Sequence, residues 1–115
     1  MWMLSEYEIQ KTFHEWCRKQ PFILESWHVP NGMKASAKAC TMMKQIGLHK
    51  GVCDYWILLE NGILLAIEFK ADNGILSKEQ RTFIMHLAQC GIPVAVCRST
   101  FDAAIFVKKQ LNKKL

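Results

Sequence analysis

At 115 residues the chain has room for one ordinary core and not for two, and with half of its residues hydrophobic and 22% charged it cannot be a disordered or low-complexity polypeptide. Lys and Arg number 15 against 10 Asp and Glu, a formal charge of +5 with a pI near 9.0, which puts nucleic acid first among partners. No apolar run reaches the roughly 18 residues that cross a bilayer, and the start MWMLSEYEIQ lacks the basic-then-apolar pattern of a leader, so the expectation is a cytoplasmic protein with no membrane partner.

Ser5 and Glu8 have the spacing of a capping box, predicting a helix from Ser5 to about Gln20, where Pro21 ends it. Residues 22 to 29 mix apolar and polar side chains with strand character and run into the turn signal PNG. From about Met33 to Ile46, the residues Ala35, Ala39, Met42, Met43 and Ile46 recur at helical spacing, and Gly47 suits the position after a helix end. Residues 51 to 70, GVCDYWILLENGILLAIEFK, read as two apolar strands joined by Asn61-Gly62. A second capping-box pattern at Ser77 and Gln80 opens a helix with Phe83, Ile84, Leu87 and Ala88 on one stripe, ending at Gly91. IPVAVCR is a short buried strand, and Ser99 opens a last helix with Ala103, Ala104, Ile105 and Val107 inside. The lysines of the tail VKKQLNKKL fit a solvated helix end.

The order α-β-α-β-β-α-β-α implies an α/β fold, a mixed sheet flanked by helices: the middle strands share a hairpin and the last returns by a helical crossover. Cys17, Cys40, Cys53, Cys90 and Cys97 are odd in number, sit among apolar residues and never form C-x-x-C, so the reading is reduced, buried thiols rather than disulfides or a zinc knuckle.

Apart from Glu60 at the turn, charge interrupts the hairpin only at its ends. Side chains alternate along a strand, so Glu68 and Lys70 share a face, about 6.5 to 7 Å apart. Whether Asp54 joins them depends on the turn. A two-residue type I′ loop at Asn61-Gly62 pairs Glu60 with Ile63 and sets Asp54 opposite Phe69, on the wrong face. A three-residue loop, with Gly62 left-handed as a G1 bulge, pairs Leu59 with Ile63 and sets Asp54 opposite Glu68. Two converging carboxylates among apolar strands need compensation, and a hard cation such as Mg²⁺, held by one or two carboxylates and completed by water and phosphate oxygens, supplies it. An exposed cross-strand ion-pair system at a sheet edge fits the spacing equally.

Asp54 followed across the hairpin by Glu68-Phe69-Lys70 resembles the signature of the PD-(D/E)XK nuclease superfamily, whose fold is restriction-endonuclease-like. More narrowly, SEYEIQ, VPNG, KQIGLHKGVCD, IEFK and LSKEQ, in that order along the chain, resemble a virus-type replication-repair nuclease (VRR-NUC) domain in its stand-alone form, spanning residues 1 to 115 as a single domain. The resemblance implies a metal-dependent phosphodiesterase acting on DNA: Asp54, Glu68 and the backbone carbonyl of Phe69 would ligate Mg²⁺ or Mn²⁺, and Lys70 would position the attacking water. Cys53 stands where the superfamily has proline. The family also carries a glutamate on its first helix. Here Glu6, on the stripe with Ile9, Gln10, Phe13 and Trp16, is the better candidate for a further metal or water ligand than Glu8, which has a capping role; favouring the positive helix start would equally explain Glu6.

Gln80 matches a family glutamine that orients the lysine or a phosphate, although the capping box alone accounts for it. Lys34, Lys38, His49 and Lys50 could meet phosphates, as could any solvated lysine. The remaining histidines have no ligand spacing. Stand-alone members look like junction-resolving enzymes, so the resemblance implies an endonuclease for branched or junction DNA acting as a homodimer. A binding or scaffolding module that had lost catalysis would be expected to lack one of Asp54, Glu68 and Lys70, and all three are present. An exonuclease or processing subunit would use the same residues.

Overall fold

A computed structural model describes residues 4–30 and 36–113. Its elements are α1 (Glu6–Arg18), β1 (Ile23–His28), α2 (Ala37–Gln45), β2 (Tyr55–Leu59), β3 (Leu64–Phe69), α3 (Lys78–Gln89), β4 (Val94–Cys97) and α4 (Thr100–Gln110). Each helix opens on a serine. Ser5, Ser36, Ser77 and Ser99 accept through Oγ from the backbone N–H three residues on, satisfying a donor that the helix itself leaves open, worth about 1 kcal/mol each. At Ser77 the box is reciprocal, whereas at Ser5 the Glu8 carboxylate accepts from the serine hydroxyl (3.1 Å).

The sheet runs β1-β2-β3-β4, antiparallel through the first two pairings and parallel at the last, where α3 supplies the crossover that a parallel return requires. This is the mixed α/β sheet expected from the element order. Its pleat sorts the hairpin. Tyr55, Ile57, Leu59, Ile63, Leu65, Ile67 and Phe69 form one buried face, closed by Ile9, Phe13 and Cys17 of α1 and by Ala103 and Val107 of α4. The Phe13 ring lies 5.4 Å from both Tyr55 and Phe69, close enough for edge contacts at the centre of the core.

The opposite face is thinner. Trp56 and Leu58 are half-buried, Trp56 meets Phe83 of α3 at 6.2 Å, and neither α2 nor α3 contributes a fully buried residue. The expected apolar stripes therefore meet different fates. On α2, Met42 and Ile46 are 56% and 87% exposed, and Ile105 of α4 also points outward because α4 turns Ala103 and Val107 to the sheet. The proposed start of α2 at Met33, together with Ala35, lies outside the described residues. Strand β4 is only partly buried, being the sheet's parallel edge, and Cys90 is exposed at the end of α3 rather than buried.

The hairpin adopts the three-residue loop. Tyr55 pairs with Ile67 and Leu58 with Leu64, Leu59 N–H donates to the Ile63 carbonyl (2.9 Å), and Gly62 has φ +87°. Only glycine takes that conformation without strain. Asn61 fixes the loop from both sides, accepting from Ile63 N–H (3.2 Å) and donating to the Gln110 carbonyl (3.1 Å) at the end of α4.

Candidate active site

Continuing the register past Tyr55 and Ile67 sets Asp54 opposite Glu68. Asp54 Oδ2 accepts from Phe69 N–H (2.9 Å), so its carboxylate is tied to the end of β3. Glu68 is 1% exposed. Its Oε2 accepts from Gln80 Nε2 (3.1 Å), and its Oε1 is buried with no hydrogen-bond partner among the described residues.

A buried carboxylate facing a second carboxylate disfavours its own ionisation. Burial first, then the Asp54 charge and the Asp54 side-chain contact, push the Glu68 carboxyl from 4.5 up to about 9; Lys70 opposes this and Glu6 adds to it. Glu68 thus carries its proton at neutral pH when no cation is present. The same contributions place the Lys70 and Glu6 charges within electrostatic reach of Glu68.

Gln80 combines the two roles its position suggested, with a different partner. Its Oε1 accepts from Ser77 N–H (2.9 Å), closing the capping box, while its Nε2 aims the Glu68 carboxylate rather than Lys70. The loop entering Asp54 is pressed against this helix start: Gly51 has φ +89°, and a Cβ there would stand 2.5 Å from the Glu79 carbonyl and 2.8 Å from Gln80 N. After Lys70, Arg98 Nη1 donates to the carbonyls of Ala71 (2.7 Å) and Gly74 (2.9 Å), holding the turn that carries the lysine.

The donor set fits a hard divalent cation. Asp54 and Glu68 offer oxygen ligands only, and the orphaned Glu68 Oε1 is an acceptor that a cation would satisfy. No group of three or more His, Cys, Asp or Glu side chains converges among the described residues. Protein ligation would therefore be sparse and completed by water and substrate, the habit of Mg²⁺ rather than of zinc. Buried Cys53, next to the site, keeps its proton in the cation-free chain: burial and the Glu68 and Asp54 charges push its thiol up to about 12.

A profile of the VRR-NUC domain matches residues 4–101. The chain belongs to the VRR-NUC family. A solved structure described as a VRR_NUC domain protein shares the fold, with a TM-score of 0.72 at 24% identity, covering 96% of this chain and 89% of that one. Among curated proteins there is no match. Membership in VRR-NUC implies a nuclease-type function on a nucleic-acid substrate. Among the described residues no helix is long and apolar enough to cross a membrane.

Two clefts open on this VRR-NUC domain, one of them lined by Asp54. One, about 490 Å³, brings Glu6 and Asp54 together with Tyr7, Lys11 and His28. His28 Nδ1 lies 2.6 Å from the Gln10 amide and 3.1 Å from the Asp54 carbonyl. Sequence reasoning passed over this grouping. Tyr7 and Lys11 carry a signal, since they lie one helical turn apart, but His28 reaches the cleft only because β1 pairs it with Tyr55. The other cleft, about 420 Å³, gathers His49 and Lys50 with Lys78, Thr82 and His86, three residues spaced along one face of α3. Lys38 stands exposed on α2 in neither cleft, and Lys34 lies outside the described residues.

Proposed function

We propose that this VRR-NUC domain is a divalent-metal-dependent DNA endonuclease, selective for branched or junction DNA and acting as a homodimer. The observation that carries the reading is the pairing of Asp54 with Glu68 at a buried carboxylate oxygen that has no partner among the described residues. Asp54, Glu68 and the Phe69 backbone carbonyl would hold Mg²⁺ or Mn²⁺, which when bound activates water and neutralises charge developing on the phosphodiester. Holding it requires Glu68 to give up its proton.

The chain's own groups do the rest. Gln80 fixes the Glu68 carboxylate through Oε2, leaving Oε1 as the ligand. Lys70 holds the attacking water or the crowded phosphate with its ammonium, on a turn secured by Arg98. Glu6, at the cleft mouth, holds water rather than a metal. His49 and Lys50, joined by Lys78, hold the duplex backbone, and exposed Lys38 on α2 adds a further cation.

The homodimer is supported by the exposed apolar side chains of Met42, Ile46 and Leu48 around α2, a surface that a two-fold partner would cover. Such a partner would set two sites on opposing strands.

The test is incubation with supercoiled plasmid and a synthetic four-way junction in Mg²⁺, Mn²⁺ or EDTA. Wild type cleaves both with either metal and neither in EDTA; Asp54→Asn and Lys70→Ala fall by at least about 10²-fold. The amide introduced by Asp54→Asn keeps an acceptor for Phe69 N–H, so the fold survives that substitution. Equal cleavage by wild type and both variants rejects the mechanism. A solution mass of one chain at micromolar concentration, with cleavage retained, rejects the dimer.

A further inference from the structure

We infer that the cleft beside Asp54 is a pocket for one unpaired nucleotide adjoining the scissile phosphate, with Tyr7 as its stacking surface. The inference rests on the nuclease reading and supplies a physical source for its structure selectivity. At about 490 Å³ the cleft falls in the range of pockets that hold a small ligand, enough for one nucleotide and short of a stacked base pair with its backbone. Because Asp54 and Glu6 are among its lining residues, a nucleotide seated there adjoins the phosphate under attack.

Tyr7 is 72% exposed, an aromatic ring that folding leaves in water. It sits in the first turn of α1, where the Ser5 cap fixes the backbone, so the ring is presented from a rigid position. Stacking needs only the π-face of a base and tolerates any sequence. Lys11, one turn further along the same side of the helix, offers an ammonium to the nucleotide's phosphate. The His28 ring also lines the cleft, its Nδ1 within hydrogen-bond distance of the Gln10 amide and the Asp54 carbonyl. A paired base cannot reach Tyr7 without leaving its stack, so duplex DNA bears an unstacking cost that a gap, flap or branch point does not.

The test uses a junction and a fully paired duplex of the same sequence, each with 2-aminopurine at the nucleotide adjoining the cut. Selectivity is the ratio of the two kcat/KM values in Mg²⁺; binding is followed in EDTA by quenching of 2-aminopurine. Wild type quenches the probe in the junction and favours that substrate. Tyr7→Ala loses the quenching and drops the ratio by about tenfold, the scale of one base–aromatic stack, whereas Tyr7→Phe keeps both. Unchanged quenching and ratio in Tyr7→Ala overturn the pocket and leave the nuclease intact. A wild type that cleaves neither substrate overturns the nuclease reading; quenching that depends on the Tyr7 ring would then still establish the nucleotide pocket, and quenching indifferent to it would overturn that too.

Discussion

Replacing Glu68 by Gln removes the one titration that the fold opposes most strongly, and the result depends on pH in a way that a packing change would not. The Glu68 carboxyl titrates at about 9 in the folded, cation-free chain against an ordinary 4.5. Wild-type stability in EDTA is therefore fullest below pH 4.5 and falls as pH rises toward 9, by about 1.4 kcal/mol per unit, because the unfolded chain ionises first. At pH 7 the loss reaches at most about 3.5 kcal/mol, and about 2 kcal/mol once local relaxation around the buried carboxyl is allowed for. The amide of Glu68→Gln keeps an acceptor for Gln80 and can donate toward Asp54. The variant should match wild type near pH 4.5 and melt roughly 10 °C higher at pH 7. Adding Mg²⁺ should raise the wild-type melting temperature and leave the variant unmoved. Thermal melts in EDTA at pH 5, 6, 7 and 8 decide it: a difference that stays constant across that series refutes the reasoning.

Gln80→Glu preserves the acceptor that Ser77 N–H needs and so keeps the helix cap, but it puts a carboxylate where Glu68 Oε2 expects a donor. Its melting temperature near pH 5 should stay within a few degrees of wild type while cleavage falls about 10- to 100-fold; loss of both together would mean that Gln80 acts only through α3. Gly51→Ala meets both a left-handed backbone and a 2.5 Å contact with the Glu79 carbonyl, which predicts destabilisation by about 1–3 kcal/mol in urea titrations with a parallel drop in Mg²⁺ affinity. Arg98→Ala releases the turn behind Lys70 and should lower kcat with little change in melting temperature, since Arg98 is exposed and its partners are loop carbonyls.

The carboxylate pair was legible in the residues because a strand has a period of two and only two loop lengths were in play. What chose between them lay elsewhere. Asn61 anchors to the end of α4, 49 positions away, a contact that no local pattern encodes. Local spacing likewise identified the capping box at Ser77 but not that the same amide reaches Glu68, because α3 meets β3 only through the fold. Periodicity marked Ala39, Met42 and Met43 as helical but said nothing of what covers them; Met42, at 56% exposure, shows that a stripe names a face and not its partner. Tyr7, Lys11 and His28 were passed over for a related reason, since two elements far apart in sequence build that cleft.

The contact of Asn61 with the Gln110 carbonyl also changes how the tail of the chain should be regarded. Asp54 and Glu68 stand at one end of the hairpin and Asn61 at the other, so α4 touches the opposite tip from the carboxylates. Its influence there is one of alignment: slipping the strands by a single residue would keep the sheet and turn Asp54 away. The end of the last helix thus works as a proofreader of pairing, and losing that one contact can silence the site while Ala103 and Val107 still close the core.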